Sequence, residues 1–210
     1  MSVFDLLFLV IFLGSVVALV AVLVSLLRGR RSTAVRILRA LGTGLGIYFL
    51  IVIAVDIAAP QRVLGMGEDR CFDEMCLAAT GVRTAPEIGP KGHMAKARGV
   101  FYLVTVRVHS RALRRAQREA GVNVSLIDSQ GHTYNVSPAG ERAYEAEHGP
   151  VTPLVSQLAP GQTIESVQVF DVPAGAKGVA LHIGHDGPGL LIIGDDESPW
   201  HRPTIIPLKS

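Results

Sequence analysis

The side chains with the most chemistry to offer in this chain are two cysteines, seven histidines and two groups of arginines. Cys71 and Cys76 are the only cysteines, in the run Cys71-Phe-Asp-Glu-Met-Cys76. In an oxidising compartment so close a pair forms a structural disulfide. The loop it closes is short, so the chain-entropy estimate of its contribution is about 2 kcal/mol. Other uses stay open. A redox-active pair is normally C-x-x-C beside a thioredoxin-like pattern, and neither occurs here. A zinc site needs two further ligands, which only distant histidines could supply. In a reducing compartment both would be free thiols.

All seven histidines follow the second cysteine: His93, His109, His132, His148, His182, His185 and His201. His182 and His185, with Asp186 next to them, have a spacing that seats a metal on a helix. Their surroundings read as a strand running into a glycine-rich turn, where residues three apart point to opposite faces. No metal and no cofactor is therefore expected. Ser, His and Asp all occur, yet no G-x-S-x-G turn or other nucleophile signature does, so no catalytic residue is assigned and the chain is read as non-enzymatic. The glycine-rich run at 184–189 lacks the strand–loop–helix setting of a phosphate cradle. Asn123-Val-Ser and Asn135-Val-Ser are read as chance matches to glycosylation sequons.

Arg111, Arg114, Arg115 and Arg118 recur at helical spacing within residues 111–120. On a short helix they form one basic face, suited to anionic lipid headgroups or an acidic protein surface. The plainer alternative is a solvated loop with local pairing to Glu119 or to acidic residues elsewhere. A second group, Arg28, Arg30, Arg31, Arg36 and Arg39, stands without any acidic residue between two long apolar stretches. Loops with a Lys/Arg excess stay cytoplasmic. The turn between the two stretches is then inside, and both the N-terminus and everything beyond about residue 60 are outside.

These residues need elements to hold them. Leu6–Leu27 is an uncharged run long enough to cross a bilayer as a helix. No positive segment precedes it, which favours a retained span over a signal peptide. The second span covers about 40–59 and ends at Pro60, with Asp56 near enough to its outer end to reach the headgroups and stay hydrated. Gly42, Gly44 and Gly46 on this span, and Gly14 with Ala18 on the first, are small-residue patterns that let helices approach closely. They serve either to pack the two spans together or to dock another membrane subunit. Residues 1–60 thus form a two-helix membrane hairpin (about 6–27 and 40–59). Residues 61–97 read as a linker carrying the cysteines, irregular over 83–97 where Pro86, Gly89, Pro90 and Gly92 cluster.

Residues 98–210 read as all-β. Val100, Tyr102, Val104, Val106 and Val108 alternate with Phe101, Leu103, Thr105, Arg107 and His109, a period-two strand signal. Further strands are predicted over 122–128, 132–136, 164–171, 178–183 and 190–193, separated by Gly/Pro/Asp turns, which is the pattern of a sandwich. Phe170 and Val172 fall on one core-facing side, and Pro173 ends their strand because it cannot donate to a ladder. The motifs Val104-Thr-Val-Arg-Val108, Leu126-Ile-Asp-Ser-Gln-Gly-His-Thr-Tyr134, Leu158-Ala-Pro-Gly161, Val169-Phe-Asp-Val-Pro173 and Asp196-Glu-Ser-Pro-Trp-His-Arg-Pro203 occur in this order. Together they resemble the telokin-like, immunoglobulin-like extracytoplasmic domain of bacterial cell surfaces, over roughly residues 95–208. The resemblance implies an immunoglobulin-like β-sandwich and no known catalysis. The chain departs from it after the first strand, where His109-Ser110 and an arginine-rich insertion replace the usual Asn.

Net charge is only +2, less than the cytoplasmic turn alone carries, so the outer portion is near neutral and a nucleic-acid partner is not expected. The expected partners are membrane lipids and other membrane or envelope proteins. The sequence leads to a bacterial cytoplasmic-membrane protein, N-out and C-out, whose outer domain is an interaction or scaffolding module. Alternatives are an accessory subunit of a membrane complex, docked through its spans, and an envelope sensor binding a small ligand or metal.

Overall fold

Two helices open the chain, α1 (Val3–Leu27) and α2 (Arg31–Ala58). Both are long and apolar enough to cross a membrane. The computed structural model describes residues 3–186, 192–193, 198 and 200–208. The chain reverses between the helices at Gly29, in the left-handed region with φ 71°. Along the seam between them the less exposed positions recur every three or four residues: Ile11, Ser15 and Ala18 on α1, and Ala34, Ile37, Leu41, Leu45, Tyr48 and Val52 on α2. Asp56 continues this stripe one turn beyond Val52 and is 0% exposed. Its burial corrects the expectation that it reaches the headgroups and stays hydrated. Helix α2 also starts earlier than residue 40, taking Arg31, Arg36 and Arg39 into its first turns. Arginine is a good helix former and does not stop a helix as it stops a membrane span.

The rest of the described chain forms β1 (Arg70–Phe72), β2 (Met75–Ile88), β3 (Ala95–Ser110), β4 (Val122–Ile127), β5 (Thr133–Asn135), α3 (Pro138–His148), β6 (Thr163–Val172), β7 (Ala180–His185) and β8 (Ile205–Pro207). Among the described residues these make two antiparallel four-stranded sheets, ordered β1-β2-β3-β6 and β5-β4-β7-β8. The chain changes sheet from β3 to β4, from β5 to β6 and from β6 to β7. That crossing pattern makes an immunoglobulin-like β-sandwich. Val104, Val106 and Val108 of β3 point into the core, where they meet Leu77, Leu126, Phe170, Val172, Leu181, Ile183 and Ile206. Burying a side chain of this size stabilises by about 1.5–3 kcal/mol.

The opposite face of β3 is apolar at Phe101 and Leu103, which pack with Val169 of β6 in a second cluster that includes Tyr144 of α3. Helix α3 covers this face. Its start is written in the sequence: Ser137 accepts a hydrogen bond from the Gly140 N–H at 3.2 Å, Pro138 takes the first position, and both choices suit a helix N-terminus.

The stretch 61–97, expected as a linker, holds β1, β2 and the start of β3. β2 pairs with β3 from Met75↔Ser110 to Ile88↔Ala95, with irregularities at Ala79/Gly81 and Ala85/Glu87. Gly81 and Pro86 sit at these irregularities, where a strand tolerates residues that otherwise signal a loop. The true reversal is the turn near Gly89 and Pro90. Of the strand expected over 190–193, Leu190 and Leu191 lie outside the described residues, and Ile192 and Ile193 form a bend and turn. In the motif at 196–203, residues 196, 197 and 199 also lie outside the described residues, as do Gly187, Pro188 and Gly189.

Candidate functional site

One end of the sandwich gathers most of the residues singled out above. β3 ends there at Ser110, β2 begins there at Met75, β4 begins at Val122 and β7 ends at His185. The two sheets meet at this end through stacked rings, Phe72 against His185 at 5.1 Å, with the Arg70 guanidinium over the Phe72 ring at 5.1 Å. The sandwich's own first residues belong to the same end. Gln61 Nε2 donates to the Pro203 carbonyl at 3.0 Å, and the chain then runs inward through the parallel bridge Val63↔Ile205.

The cysteines lie here as a disulfide, Cys71–Cys76, across the β1–β2 hairpin. They are directly paired residues of that ladder, joined by the two-residue turn at Asp73 and Glu74, where Asp73 has φ 50°.

Residues 111–121, between β3 and β4, are not the short helix the arginine spacing predicts. The reason is that their backbone donors are taken elsewhere. The Arg111 N–H goes to the Glu74 carbonyl at 2.7 Å, and Gln117 exchanges both backbone bonds with Leu158, at 2.9 and 2.8 Å. The Ala112 N–H goes to Ser110 Oγ at 3.3 Å, and the Asp186 N–H to the Gly121 carbonyl at 2.8 Å. Side chains add two further pins: Gln117 Nε2 donates to Glu74 Oε2, and the His185 ring lies 2.7 Å from Glu119 Oε1. Both flanks of the loop are thus fastened, and the tip at 113–116 projects.

Arg111, Arg114, Arg115 and Arg118 are all exposed. Arg111 Nη1 lies 3.9 Å from Cys71 Sγ. Among the described residues none of the four makes an ion pair. Glu119, their expected local partner, faces His185 instead. Leu113, between Arg111 and Arg114, is 88% exposed. Sequence reasoning passed over it because it read Leu113 as one more residue of a helix.

The remaining candidates do not converge. His182 hydrogen-bonds the Thr204 carbonyl at 2.9 Å, on the other face of β7 from His185. His132 goes to Asp128, His148 stacks on Tyr144 at 4.2 Å, and His109 Nδ1 is 3.9 Å from Asp69. Among the described residues no three His, Cys, Asp or Glu side chains group as a metal site. At the far end of the sandwich a groove of about 380 Å³ opens between β2 and α3, lined by residues that include Arg83, Glu87, Met94, Tyr144 and His148. Asn123 of the first sequon is in β4 and donates to Asp186 Oδ1 at 2.9 Å.

In the helical hairpin, Gly42, Gly44 and Gly46 are exposed and a Cβ on any of them would meet nothing within 4 Å. Gly42 and Gly46 lie off the α1 seam, whereas Gly44, between Leu41 and Tyr48, and Gly14, between Ile11 and Ala18, stand at its edge. Arg28, Arg30, Arg31, Arg36 and Arg39 are exposed around the interhelical turn.

No protein-family model matches the chain, and no curated protein matches it. Solved structures resemble it at low identity. A conserved hypothetical protein of Bacillus anthracis is 15% identical over 57% of this chain and 87% of its own, with a TM-score of 0.46. A β-sandwich protein of Clostridium difficile is 13% identical, covering 71% of this chain and 95% of its own, with a TM-score of 0.44. The secreted protein MPT63 of Mycobacterium tuberculosis is 14% identical over 62% of this chain and 93% of its own, with a TM-score of 0.41.

Proposed function

We propose that the protein is a membrane-anchored extracytoplasmic module that works by binding and not by catalysis, with the tether-end loop at 111–118 as its contact surface. The observation that carries this reading is the fastened loop, which displays four exposed arginines that make no ion pair among the described residues. Four exposed guanidiniums on one fastened loop raise the local positive potential, which attracts an anionic partner. Two apolar helices supply the anchor, and the arginines around their turn support an N-out, C-out orientation in a bacterial cytoplasmic membrane. The disulfide is in keeping with an outer domain in an oxidising space. The resemblance to the telokin-like extracytoplasmic domains points the same way.

A second reading, an accessory subunit docked through α2, is favoured by the open glycine face at Gly42 and Gly46. One experiment addresses both. The full-length protein is purified from native membranes in a mild detergent, and the co-purifying proteins and lipids are identified. The same is done for a variant with Arg111, Arg114, Arg115 and Arg118 all changed to Gln, and for Gly42→Leu/Gly46→Leu. Companions lost only from the arginine variant support the module. Companions lost only from the glycine variant support the subunit. An identical set from all three proteins rules out the loop as the contact surface.

A further inference from the structure

We propose that the loop tip binds anionic lipid, with Leu113 entering the headgroup boundary of the bilayer and Arg111, Arg114, Arg115 and Arg118 engaging lipid phosphates. This rests on the anchored, C-out reading above and names the partner of that surface. Three observations converge on it.

The first is the tip itself. Leu113 is 88% exposed, yet its neighbour Ala112 is buried and the backbone on both sides is bonded to Glu74, Ser110 and Leu158. The leucine stands out in water between the fastened flanks of the loop. An apolar side chain presented among guanidiniums is the arrangement of an interfacial anchor, apolar inward and basic at the phosphate level.

The second is the charge around the tip. Glu119 faces His185, Glu74 takes the Gln117 amide, and Asp186 takes the Asn123 amide. Asp69 pairs with Arg107 at 3.1 Å. Among the described residues, Asp73 in the β1–β2 turn and Glu165 on β6, opposite Arg107, are further exposed carboxylates toward this end, against four arginines on the loop. The local balance is positive, and a guanidinium fork matches a phosphate with two parallel hydrogen bonds.

The third is position. The loop shares its end of the sandwich with Gln61, the residue directly after Pro60, and with Pro203. A ligand surface at the root of the tether is kept at high effective concentration, so even a weak site is occupied. An acidic protein would satisfy the arginines but gives the fixed, exposed leucine no reason to stand at the tip.

The test uses the full-length chain in lipid nanodiscs. Leu113→Trp is made in a Trp200→Phe background, leaving one tryptophan at the tip, and Ala116→Trp in the same background is a second probe. Discs of phosphatidylcholine alone are compared with discs containing phosphatidylglycerol, each with and without brominated acyl chains. Expected is at least about fivefold stronger bromine quenching at position 113 in the anionic discs. The increase is lost in high salt and when the four arginines are Gln, because it depends on screened charge. Equal quenching in neutral and anionic discs, or a tip that stays open to aqueous iodide in both, overturns the proposal. The second result would leave an acidic protein as the partner of the arginines. Failure of the chain to stay in the discs after alkaline extraction would instead remove the anchored reading on which the proposal stands.

Discussion

Asp128 sits in the β4–β5 turn with a side chain 2% exposed. Its Oδ1 accepts from the N–H groups of Gln130 at 2.8 Å and His132 at 2.9 Å, while Oδ2 faces Tyr134 Oη at 2.8 Å and the His132 ring at 3.1 Å. Burial by itself would push this carboxyl up. The bonds from Tyr134, from the backbone and ring of His132 and from Gln130 outweigh it and hold the acid well below the usual carboxylate range. The same bond, with burial and the charge of Asp128, raises the Tyr134 phenol. A depressed folded value fixes the sign of the pH dependence. The stabilisation is complete above the unfolded carboxylate value of about 4 and is lost as pH falls toward the folded one. Asp128→Asn is therefore expected to lower Tm at neutral pH by several degrees, with the gap to the parent closing in acid. Thermal melts of the detergent-solubilised protein at neutral pH and near pH 3 check this; a gap that persists unchanged in acid would show that the carboxylate charge is not what the turn uses. The motif Asp-Ser-Gln-Gly-His-Thr-Tyr was visible in the sequence as a turn, but its role as a buried fastener depends on which way Tyr134 points, and a turn signal does not carry that.

Helix α3 depends on one missing side chain. A Cβ at Gly140 would stand 2.6 Å from Val169 Cγ1 and 3.2 Å from Phe101 Cε1. Changing Gly to Ala inside a helix normally gains up to about 1 kcal/mol, whereas forcing a methyl into a closed contact costs about 1–3 kcal/mol. Val169 is fully buried and stiff at χ1, so the cost wins, and Gly140→Ala is expected to destabilise by about 1–2 kcal/mol. Val169→Ala opens the space. In the double variant the two changes should couple favourably by about 1 kcal/mol, read from urea unfolding of all four proteins; strict additivity would mean the helix does not approach the sheet this closely. The capping signals of α3, Ser137-Pro138 at its start and Gly149 at its end, were present in the sequence but stood in a stretch read as a connection between strands. β3 and β6 were legible because alternation survives wherever one face meets a continuous core. β2 was not, since Gly81 and Pro86 interrupt its pattern at bulges, and β8 is only three residues long. The loop at 111–121 failed as a helix for the opposite reason. Arginine spacing reports a period, while the fate of those residues was decided by long-range backbone bonds to Glu74 and Leu158, which no local pattern records.

On the anchored reading proposed above, orientation in the membrane is decided by summed charge and not by packing. Arg28 and Arg30 lie in the turn between the helices, and Arg31, Arg36 and Arg39 on the first turns of α2, all exposed. A Lys or Arg at the centre of a span costs about 2.5–3.5 kcal/mol. Dragging the whole group across during insertion is therefore prohibitive, whereas leaving it inside costs nothing. Replacing all five arginines with Gln removes the bias, and placing lysines at positions 2 and 3 reverses it. The disulfide gives the readout. Outside, Cys71 and Cys76 oxidise to the bond seen in the hairpin; inside, the reducing cytosol keeps them as thiols. In intact cells treated with a membrane-permeant maleimide, the parent protein is expected to label only after chemical reduction, and the reversed variant to label without it. A reversed variant whose cysteines remain fully oxidised would mean that something other than these arginines sets the orientation. A parent that labels at once would place the sandwich in the cytosol, away from any outer-leaflet lipid, and the arginine loop would then need a cytoplasmic partner.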